Sequence, residues 1–181
     1  MNRAEALALV EKHVSEINLR RHMLATGVVM RALAERLSED ADIYEITGLL
    51  HDLDYSATVG DPSKHALVTA EMLAYKDLQP EVIHAIKAHN NKVPIESKLD
   101  LAMYATDPVT GFLTACALIR QDKRLSGVDV AFGIKRWKEK RFAAGANREA
   151  MARCEGLGLT REEFLSISLK AMQGISGELG L

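Results

Sequence analysis

The segment from Ile46 to Leu53 combines the pattern of a buried helix with two residues that could do chemistry. It reads Ile-Thr-Gly-Leu-Leu-His-Asp-Leu and is apolar around the whole helical circumference, which predicts burial. A buried carboxylate without a partner is very costly. A divalent cation would accept a nitrogen of His51 and neutralise Asp52 at once. The alternative is a core histidine bonded to a carbonyl group, with Asp52 paired to Arg20 or Arg21.

Three further residues are placed where they could share such a cation. His22 lies on the helical face that also carries Thr26, which points it inward. His89 ends an apolar helical segment, and Asp107 follows the apolar run 101–105. Each has a separate alternative: solvent exposure for His22, interaction with a helix C-terminus for His89, and capping of a following helix for Asp107. One shared ligand site explains all these positions together.

Helical patterns dominate the elements that must position these residues. At 181 residues the chain fits one domain, and it contains no alternating strand pattern, repeat or flexible linker. We predict helices over about residues 2–14, 18–37, 41–53, 65–74, 80–88, 96–121, 147–158 and from 160 onwards, with loops at 54–64 and 90–94 and a break or kink at Pro108. Asn2 with Glu5, and Thr160 with Glu163, have the spacing of capping boxes. The predicted fold class is a compact all-α bundle.

The order of these residues resembles a known family. His22, the adjacent pair His51–Asp52 and then Asp107 resemble the H…HD…D signature of the HD superfamily of metal-dependent phosphohydrolases. More closely, the chain looks like a stand-alone bacterial HD-domain protein of the HDIG-related kind. The resemblance covers about residues 15–125, so we expect a single HD-type domain over 1–181 whose helices at about 128–181 form a short C-terminal extension.

The resemblance implies that the two histidines and two aspartates ligate one divalent ion. Mixed nitrogen and oxygen ligation suits the transition metals Mn, Fe, Co, Ni or Zn better than Ca. His65 and His89 also look like the extra ligands of the binuclear HD branch, in which Asp52 would bridge two ions. That branch usually has a second histidine where Asn90 stands, and some of its members carry a GYP portion that this chain lacks. We therefore expect one tightly held ion and a second, weaker one.

Two carboxylates are candidate catalytic residues. Asp52 would act through the ion that it holds. Asp54 could handle a proton, or it could only cap the end of the preceding helix. The nucleotidase branch of the family typically has a glutamate three residues after its HD aspartate, whereas Tyr55 stands there in this chain.

The resemblance implies hydrolysis of a phosphomonoester or phosphodiester, of a nucleotide or a related small metabolite, by metal-activated water. Two alternatives belong to other classes. One is a catalytically silent metal-bound sensor or binding module, which a screen of phosphorylated substrates would distinguish. The other is redox chemistry at a di-iron centre, which colour and an electron-paramagnetic-resonance signal would reveal.

Composition limits the partners. The formal net charge of -2 lacks the basic excess of a nucleic-acid binder, so we expect a small phosphorylated substrate and no nucleic-acid polymer. No window is apolar enough for a membrane span, and the two cysteines match no disulfide or metal spacing. A cytoplasmic protein is therefore predicted, without an indication of its oligomeric state.

The basic run from Lys135 to Arg141 could bind a substrate phosphate. A solvated helix face with Trp137 and Phe142 packed inward is the alternative. His13 and His84 have no partner pattern, and we interpret both as structural.

Overall fold

The computed structural model describes residues 1–181 and is all-helical, as predicted. It contains eleven α-helices: α1 (Arg3–His13), α2 (Ile17–Leu37), α3 (Ala41–Leu50), α4 (Tyr55–Thr58), α5 (Leu67–Leu73), α6 (Pro80–His89), α7 (Lys98–Leu118), α8 (Val130–Trp137), α9 (Arg148–Ala152), α10 (Arg161–Gly174) and α11 (Ser176–Leu179). Short 3₁₀ turns cover Leu125–Gly127 and Arg153–Leu157. None of the helices is both long enough and apolar enough to cross a membrane.

Helix α1 begins with the predicted capping box. The Asn2 side chain accepts a hydrogen bond from the Glu5 N–H at 3.0 Å, and the Glu5 carboxylate accepts from the Asn2 N–H at 2.7 Å. Helix α10 has only half of the predicted box. Thr160 accepts from the Glu163 N–H, but the Glu163 carboxylate accepts from Arg36 on α2 instead. A tertiary contact has therefore replaced one local hydrogen bond.

Of the break or kink predicted at Pro108, the break is wrong, because α7 continues through Pro108 from Lys98 to Leu118. A proline inside a helix removes one backbone hydrogen bond. Met103 and Phe112, on either side of it, are fully buried, so core packing holds the helix together across the missing bond. Asp107 consequently lies in the middle of a helix, and its interpretation as a helix cap is also wrong.

The connection from α3 to α5 differs from the prediction at both ends. Helix α3 ends at Leu50, so His51 occupies its C-cap and Asp52 lies in the turn that follows. The predicted loop contains the one-turn helix α4. His65 precedes α5 instead of opening it, because Ala66 has a positive φ of 69° and interrupts the helical backbone.

The crossing of α2 and α3 is close enough that both helices carry glycine there. A Cβ atom at Gly48 would stand 2.8 Å from the backbone N of Gly27 and from the carbonyl carbon and oxygen of Thr26. His22 lies on α2 close to this contact, and His51 lies three residues after Gly48. The backbone approach therefore fixes the separation of the two imidazoles.

The buried apolar side chains form two clusters. The larger cluster includes Phe112 of α7 and Phe164 of α10, and the smaller one includes Leu50 of α3 and Val82 of α6. Helix α2 contributes to both clusters, as do α3 and α6. The helices that carry the candidate site residues are thus held in place by packing on more than one side.

We expect Gly48→Ala to destabilise the protein. The new methyl group would meet the backbone of α2 and force the helices apart, at a cost of about 2 kcal/mol, or a fall in Tm of roughly 4–8 °C. Gly111→Ala on α7 is the matched control, since a Cβ atom there meets no atom within 4 Å. It should be neutral or stabilise by up to about 1 kcal/mol. Equal Tm values for the two variants in thermal unfolding would contradict the proposed role of the crossing.

Candidate metal centre

The structure brings all six predicted ligand side chains together from different parts of the chain. They come from α2, the end of α3, the turn after it, the connection before α5, the end of α6 and the middle of α7: His22, His51, Asp52, His65, His89 and Asp107. Their nitrogen and oxygen atoms form two groups that share Asp52.

The first group comprises His22, His51, Asp107 and one oxygen of Asp52. His22 Nε2 lies 3.2 Å from His51 Nε2 and 3.1 Å from Asp107 Oδ1. Asp52 Oδ2 lies 3.4 Å from His51 Nε2. Donors placed about 2.1 Å from a common ion stand about 3.0 Å apart at octahedral angles and about 3.4 Å apart at tetrahedral angles. These spacings therefore fit a single transition-metal ion.

The second group comprises His65, His89 and the other oxygen of Asp52. The Nε2 atoms of the two histidines are 3.3 Å apart. Asp52 Oδ1 lies 3.2 Å from His65 Nε2 and 3.6 Å from His89 Nε2. Each oxygen of Asp52 thus faces a different group, which is the arrangement of a carboxylate that bridges two ions.

Backbone carbonyl groups orient two of the imidazoles. His51 Nδ1 lies 2.8 Å from the carbonyl oxygen of Gly48, and His89 Nδ1 makes the same kind of contact with Ile86. A carbonyl oxygen can only accept, so the ring hydrogen belongs on Nδ1 in both residues. In the neutral form of the ring, which is the form that ligates a metal, each Nε2 atom then carries a free lone pair directed into the cluster.

Side chains orient the other two imidazoles. Asp54 Oδ1 accepts from His65 Nδ1 at 2.7 Å. The Thr110 hydroxyl donates to the backbone carbonyl of Asp107 at 3.0 Å, which leaves its oxygen to accept from His22 Nδ1, also at 3.0 Å. Four Nε2 lone pairs therefore converge on the same space. Such outer hydrogen bonds are typical of metal-binding histidines.

Thr110 was not predicted from the sequence. Its position three residues after Asp107 puts both on one face of α7, which is the signal that could have found it.

The pKa shifts in the cluster indicate how strongly its carboxylates favour positive charge nearby. Burial by itself lowers the pKa of His51, but the carboxylates of Asp52 and Asp107 outweigh it and raise that pKa to about 10. Burial similarly opposes protonation of His65, yet Asp52 and Asp54 raise its pKa to about 9. Burial raises the pKa of Asp52, but the charge of His51 beside it holds that pKa well below its usual value. Without a cation, protons on the imidazoles balance the carboxylates, and a divalent ion would replace them.

No lysine or arginine neutralises the cluster. The ion pairs of Asp52 and Asp107 are all with histidines. Arg20 donates to the carbonyl groups of Val14 and Glu11, so the alternative pairing of Asp52 with an arginine is wrong. Two carboxylates and four imidazoles without a fixed cation match the charge and the donor chemistry of transition-metal ions.

Asp54 is buried, and both of its oxygens are occupied. Oδ1 accepts from His65, and Oδ2 accepts from the backbone N–H of Thr69 in the first turn of α5 at 2.9 Å. Burial raises the pKa of Asp54, but the hydrogen bonds from His65 and Thr69 lower it more. This placement favours a role in orienting His65 over proton transfer to a substrate, and neither oxygen of Asp54 bonds to the end of α3.

A cavity of about 500 Å³ opens beside the cluster. His22, His89 and Asp107 form one part of its lining. The rest consists of polar uncharged and small residues: Asn90, Asn91, Tyr104, Pro108, Gly111, Ala143, Gly145, Ala146, Asn147 and Ala150. No lysine or arginine is among them. A molecule bound in the cavity would therefore encounter positive charge at the metal centre and not from a side chain of the lining.

The basic run at 135–141 does not line this cavity. Arg136 pairs with Glu139 at 2.6 Å and lies over the rings of Phe132 and Phe142, while Trp137 is buried. This is the arrangement expected of a solvated helix face with inward aromatic residues.

The two remaining histidines lie outside the cluster. His13 is exposed at the end of α1, and His84 pairs with the buried Asp100 at 3.1 Å. The ion pair of His84 agrees with the structural role predicted for it, and the role of His13 stays a prediction.

Comparison with known proteins identifies the class. The family profile of the HD domain matches residues 19–130, which is more than half of the chain. The chain therefore belongs to the HD domain family, and the resemblance stated from its sequence is confirmed. Membership of this family supports a metal-dependent hydrolase in general terms.

Several curated relatives carry the name Ribonuclease Y. The protein of Salinispora tropica is 27% identical over 135 residues, which cover 73% of this chain and 23% of that protein. That of Rhodopirellula baltica is 25% identical, with 82% and 32% covered, and that of Syntrophobacter fumaroxidans is 26% identical, with 90% and 32% covered. The chain thus spans about a quarter to a third of the length of these relatives. No solved structure matches it.

We expect Asp52→Asn to abolish metal binding at both groups. The amide keeps the volume of the side chain but removes the charge that faces both groups. Asp54→Asn is the graded comparison, because it leaves every predicted ligand in place. Asp54→Asn should lower only the affinity for the ion held by His65, by about 10-fold or more. Elemental analysis after dialysis measures both effects, and a full metal content in Asp52→Asn would show that Asp52 is not a ligand.

A second prediction concerns the number of ions. Replacing His65 and His89 together by alanine should leave about one ion per chain, held by the first group, and sharply reduce hydrolysis. His84→Ala on the same helix as His89 is the control and should keep the metal content of the unmodified protein. If the double variant also keeps that content, the second group does not bind a metal ion.

Proposed function

We propose that this chain is a phosphohydrolase that holds one tightly bound and one weaker divalent transition-metal ion. Its substrate is a phosphomonoester or phosphodiester of a nucleotide or a similar small metabolite. The observation that carries the proposal is the convergence of four imidazole lone pairs and two carboxylates at the edge of a cavity of about 500 Å³. That volume is within the range of cavities that bind small molecules.

A divalent ion in such a site lowers the pKa of bound water and polarises a phosphoryl oxygen, which is the chemistry of phosphoester hydrolysis. The residues of the chain prepare the site for that ion. His22, His51 and Asp107 would hold the first ion, His65 and His89 would hold the second, and Asp52 would contribute to both. Because the Nδ1 hydrogens are fixed by their acceptors, the donor atoms need little reorganisation when the ions bind.

The exposure of the ligands differs in a way that suits a substrate entering from one side. The side chain of His51 is completely buried and that of Asp52 is 7% exposed, whereas that of Asp107 is 35% exposed. Buried ligands exclude bulk water from behind the cluster. The substrate phosphate would approach from the cavity, past His22 and Asp107, while Asn90 and Tyr104 offer hydrogen bonds to the rest of the molecule.

Cleavage of RNA is a second candidate, and the name of the curated relatives is the observation that favours it. Two features of this chain favour the smaller substrate. The net charge is -2, and the cavity is lined by no lysine or arginine. Binding of a polyanion normally depends on such residues.

Activity on phosphoesters tests the proposal directly. The protein should hydrolyse p-nitrophenyl phosphate or bis(p-nitrophenyl) phosphate after addition of Mn, Ni or Co, and a chelator should stop the reaction. Gly111→Leu should then raise KM by about tenfold without changing the metal content, because it adds bulk at the cavity lining. Gly174→Leu is the control, since it adds the same bulk in open space at the end of α10.

The outcomes separate the candidates. Hydrolysis of nucleotides and aryl phosphates without cleavage of a single-stranded RNA oligonucleotide supports the small-molecule assignment. Cleavage of the oligonucleotide in preference to the nucleotides would support the second candidate. Inactivity on every ester with every metal would favour the silent binding module.

A further inference from the structure

Two different parts of the chain bound the cavity beside the metal cluster. The side that carries His22, His89 and Asp107 lies within residues 19–130, the region that matches the HD domain. The lining is completed by residues that follow that region: Ala143, Gly145, Ala146, Asn147 and Ala150. The cavity is therefore closed by a part of the chain outside the matched domain, and we call residues 142–147 the wall segment.

Packing holds the wall segment mainly at Phe142, whose ring centre lies 5.8 Å from that of Phe112, and the residues after Phe142 are small. The segment reads Phe-Ala-Ala-Gly-Ala-Asn, and side chains as small as alanine bury little apolar area. Ala143 adopts a positive φ of 44°, a conformation that costs a residue other than glycine about 1 kcal/mol. Something beyond local packing must therefore maintain its shape.

Arg148 supplies that restraint through its guanidinium group. Nη2 donates to the carbonyl of Phe142 at 2.7 Å, and Nη1 donates to those of Ala146 at 2.7 Å and Ala143 at 3.2 Å. Nε donates to the carbonyl of Trp137 at 3.4 Å. The guanidinium group forms no ion pair, and its N–H groups donate to backbone carbonyl groups of α8 and the wall segment.

The same guanidinium group joins the wall segment to the core. Its Cζ atom lies 4.4 Å from the centre of the Phe112 ring, and Phe112 is fully buried on α7. Helix α7 also carries Asp107, five residues earlier. Arg148 thus sets the position of the wall segment relative to the helix that provides a candidate metal ligand.

We propose that Arg148 is a positioning residue that fixes the wall segment, and that this segment limits the size of the substrate that reaches the cluster. The inference rests on the proposed function. The lining favours a phosphoester whose non-phosphate part is compact and uncharged, because Asn90, Asn91, Tyr104 and Asn147 offer hydrogen bonds but no charge.

Lysine cannot replace Arg148 in this role. A guanidinium group presents five donors in a planar fork, whereas an ammonium group presents three from one point. The carbonyl groups of Phe142, Ala143 and Ala146 lie around the fork and cannot all be reached from a single nitrogen position. Arg148→Lys therefore keeps the charge and the aliphatic stem but loses part of the hydrogen bonds to the wall segment, and Arg148→Met loses all of these hydrogen bonds.

The test compares these two variants with Arg161→Lys. Arg161 lies in the same C-terminal part and stacks on Trp137, but it pairs with Glu155 and lines no part of the cavity. All proteins are loaded with Mn, and metal content is measured first. Hydrogen–deuterium exchange then reports the wall segment without reference to activity. Substrate size is varied with two pairs: p-nitrophenyl phosphate against 4-methylumbelliferyl phosphate, and methyl p-nitrophenyl phosphate against bis(p-nitrophenyl) phosphate.

We expect unchanged metal content in all variants and faster exchange at 142–147 in both Arg148 variants only. The unmodified protein should prefer the smaller ester of whichever pair it hydrolyses. Arg148→Met should reduce the ratio of kcat/KM for the smaller ester to kcat/KM for the larger ester by about tenfold, mainly through KM. Arg148→Lys should reduce this ratio less.

Two results would contradict the role of Arg148 without contradicting the proposed function. They are unchanged exchange at 142–147 in the Arg148 variants, or faster exchange there with an unchanged preference for the smaller ester. Failure of the unmodified protein to hydrolyse either pair overturns the proposed function, and the substrate-size role with it.

Discussion

The carboxylate of Asp52 is the group on which the arrangement of the site depends. Its two oxygens face two sets of imidazoles, and it lies in a buried turn where a negative charge without a partner would be unstable. Four histidines therefore have to gather around it, from α2, α3, α6 and the connection before α5. Helices α2 and α3 approach each other closely at Gly48, in the same region. A wider separation of these helices would move His22 away from His51.

Orientation of the ligands is distributed between backbone and side chains. The carbonyl groups of Gly48 and Ile86 fix two imidazoles at the ends of their own helices. Such bonds are local and follow from helix geometry. Asp54 and Thr110 fix the other two across longer distances in the chain. Both kinds of bond direct Nε2 into the cluster, so imidazole nitrogens and carboxylate oxygens face a cation there, and no lysine or arginine belongs to the cluster.

The metal cluster and the cavity have different origins in the chain. The cluster lies wholly within the HD domain, whereas part of the cavity is formed by residues that follow it. The chain spans about a quarter to a third of the length of its curated relatives, and the complete cluster lies within the part that matches the HD domain.

The sequence by itself determined the all-α class and the cap at Asn2, because helical periodicity and capping chemistry are local properties. The six cluster residues were predicted from the sequence through its resemblance to the HD superfamily. The sequence did not determine that α7 continues through Pro108, that Asp54 is occupied by His65 and Thr69, or that residues 143–150 close the cavity. Each of these depends on packing between segments distant in the chain. Whether a proline breaks a helix, or a carboxylate is free, is decided by neighbours that only the tertiary structure supplies.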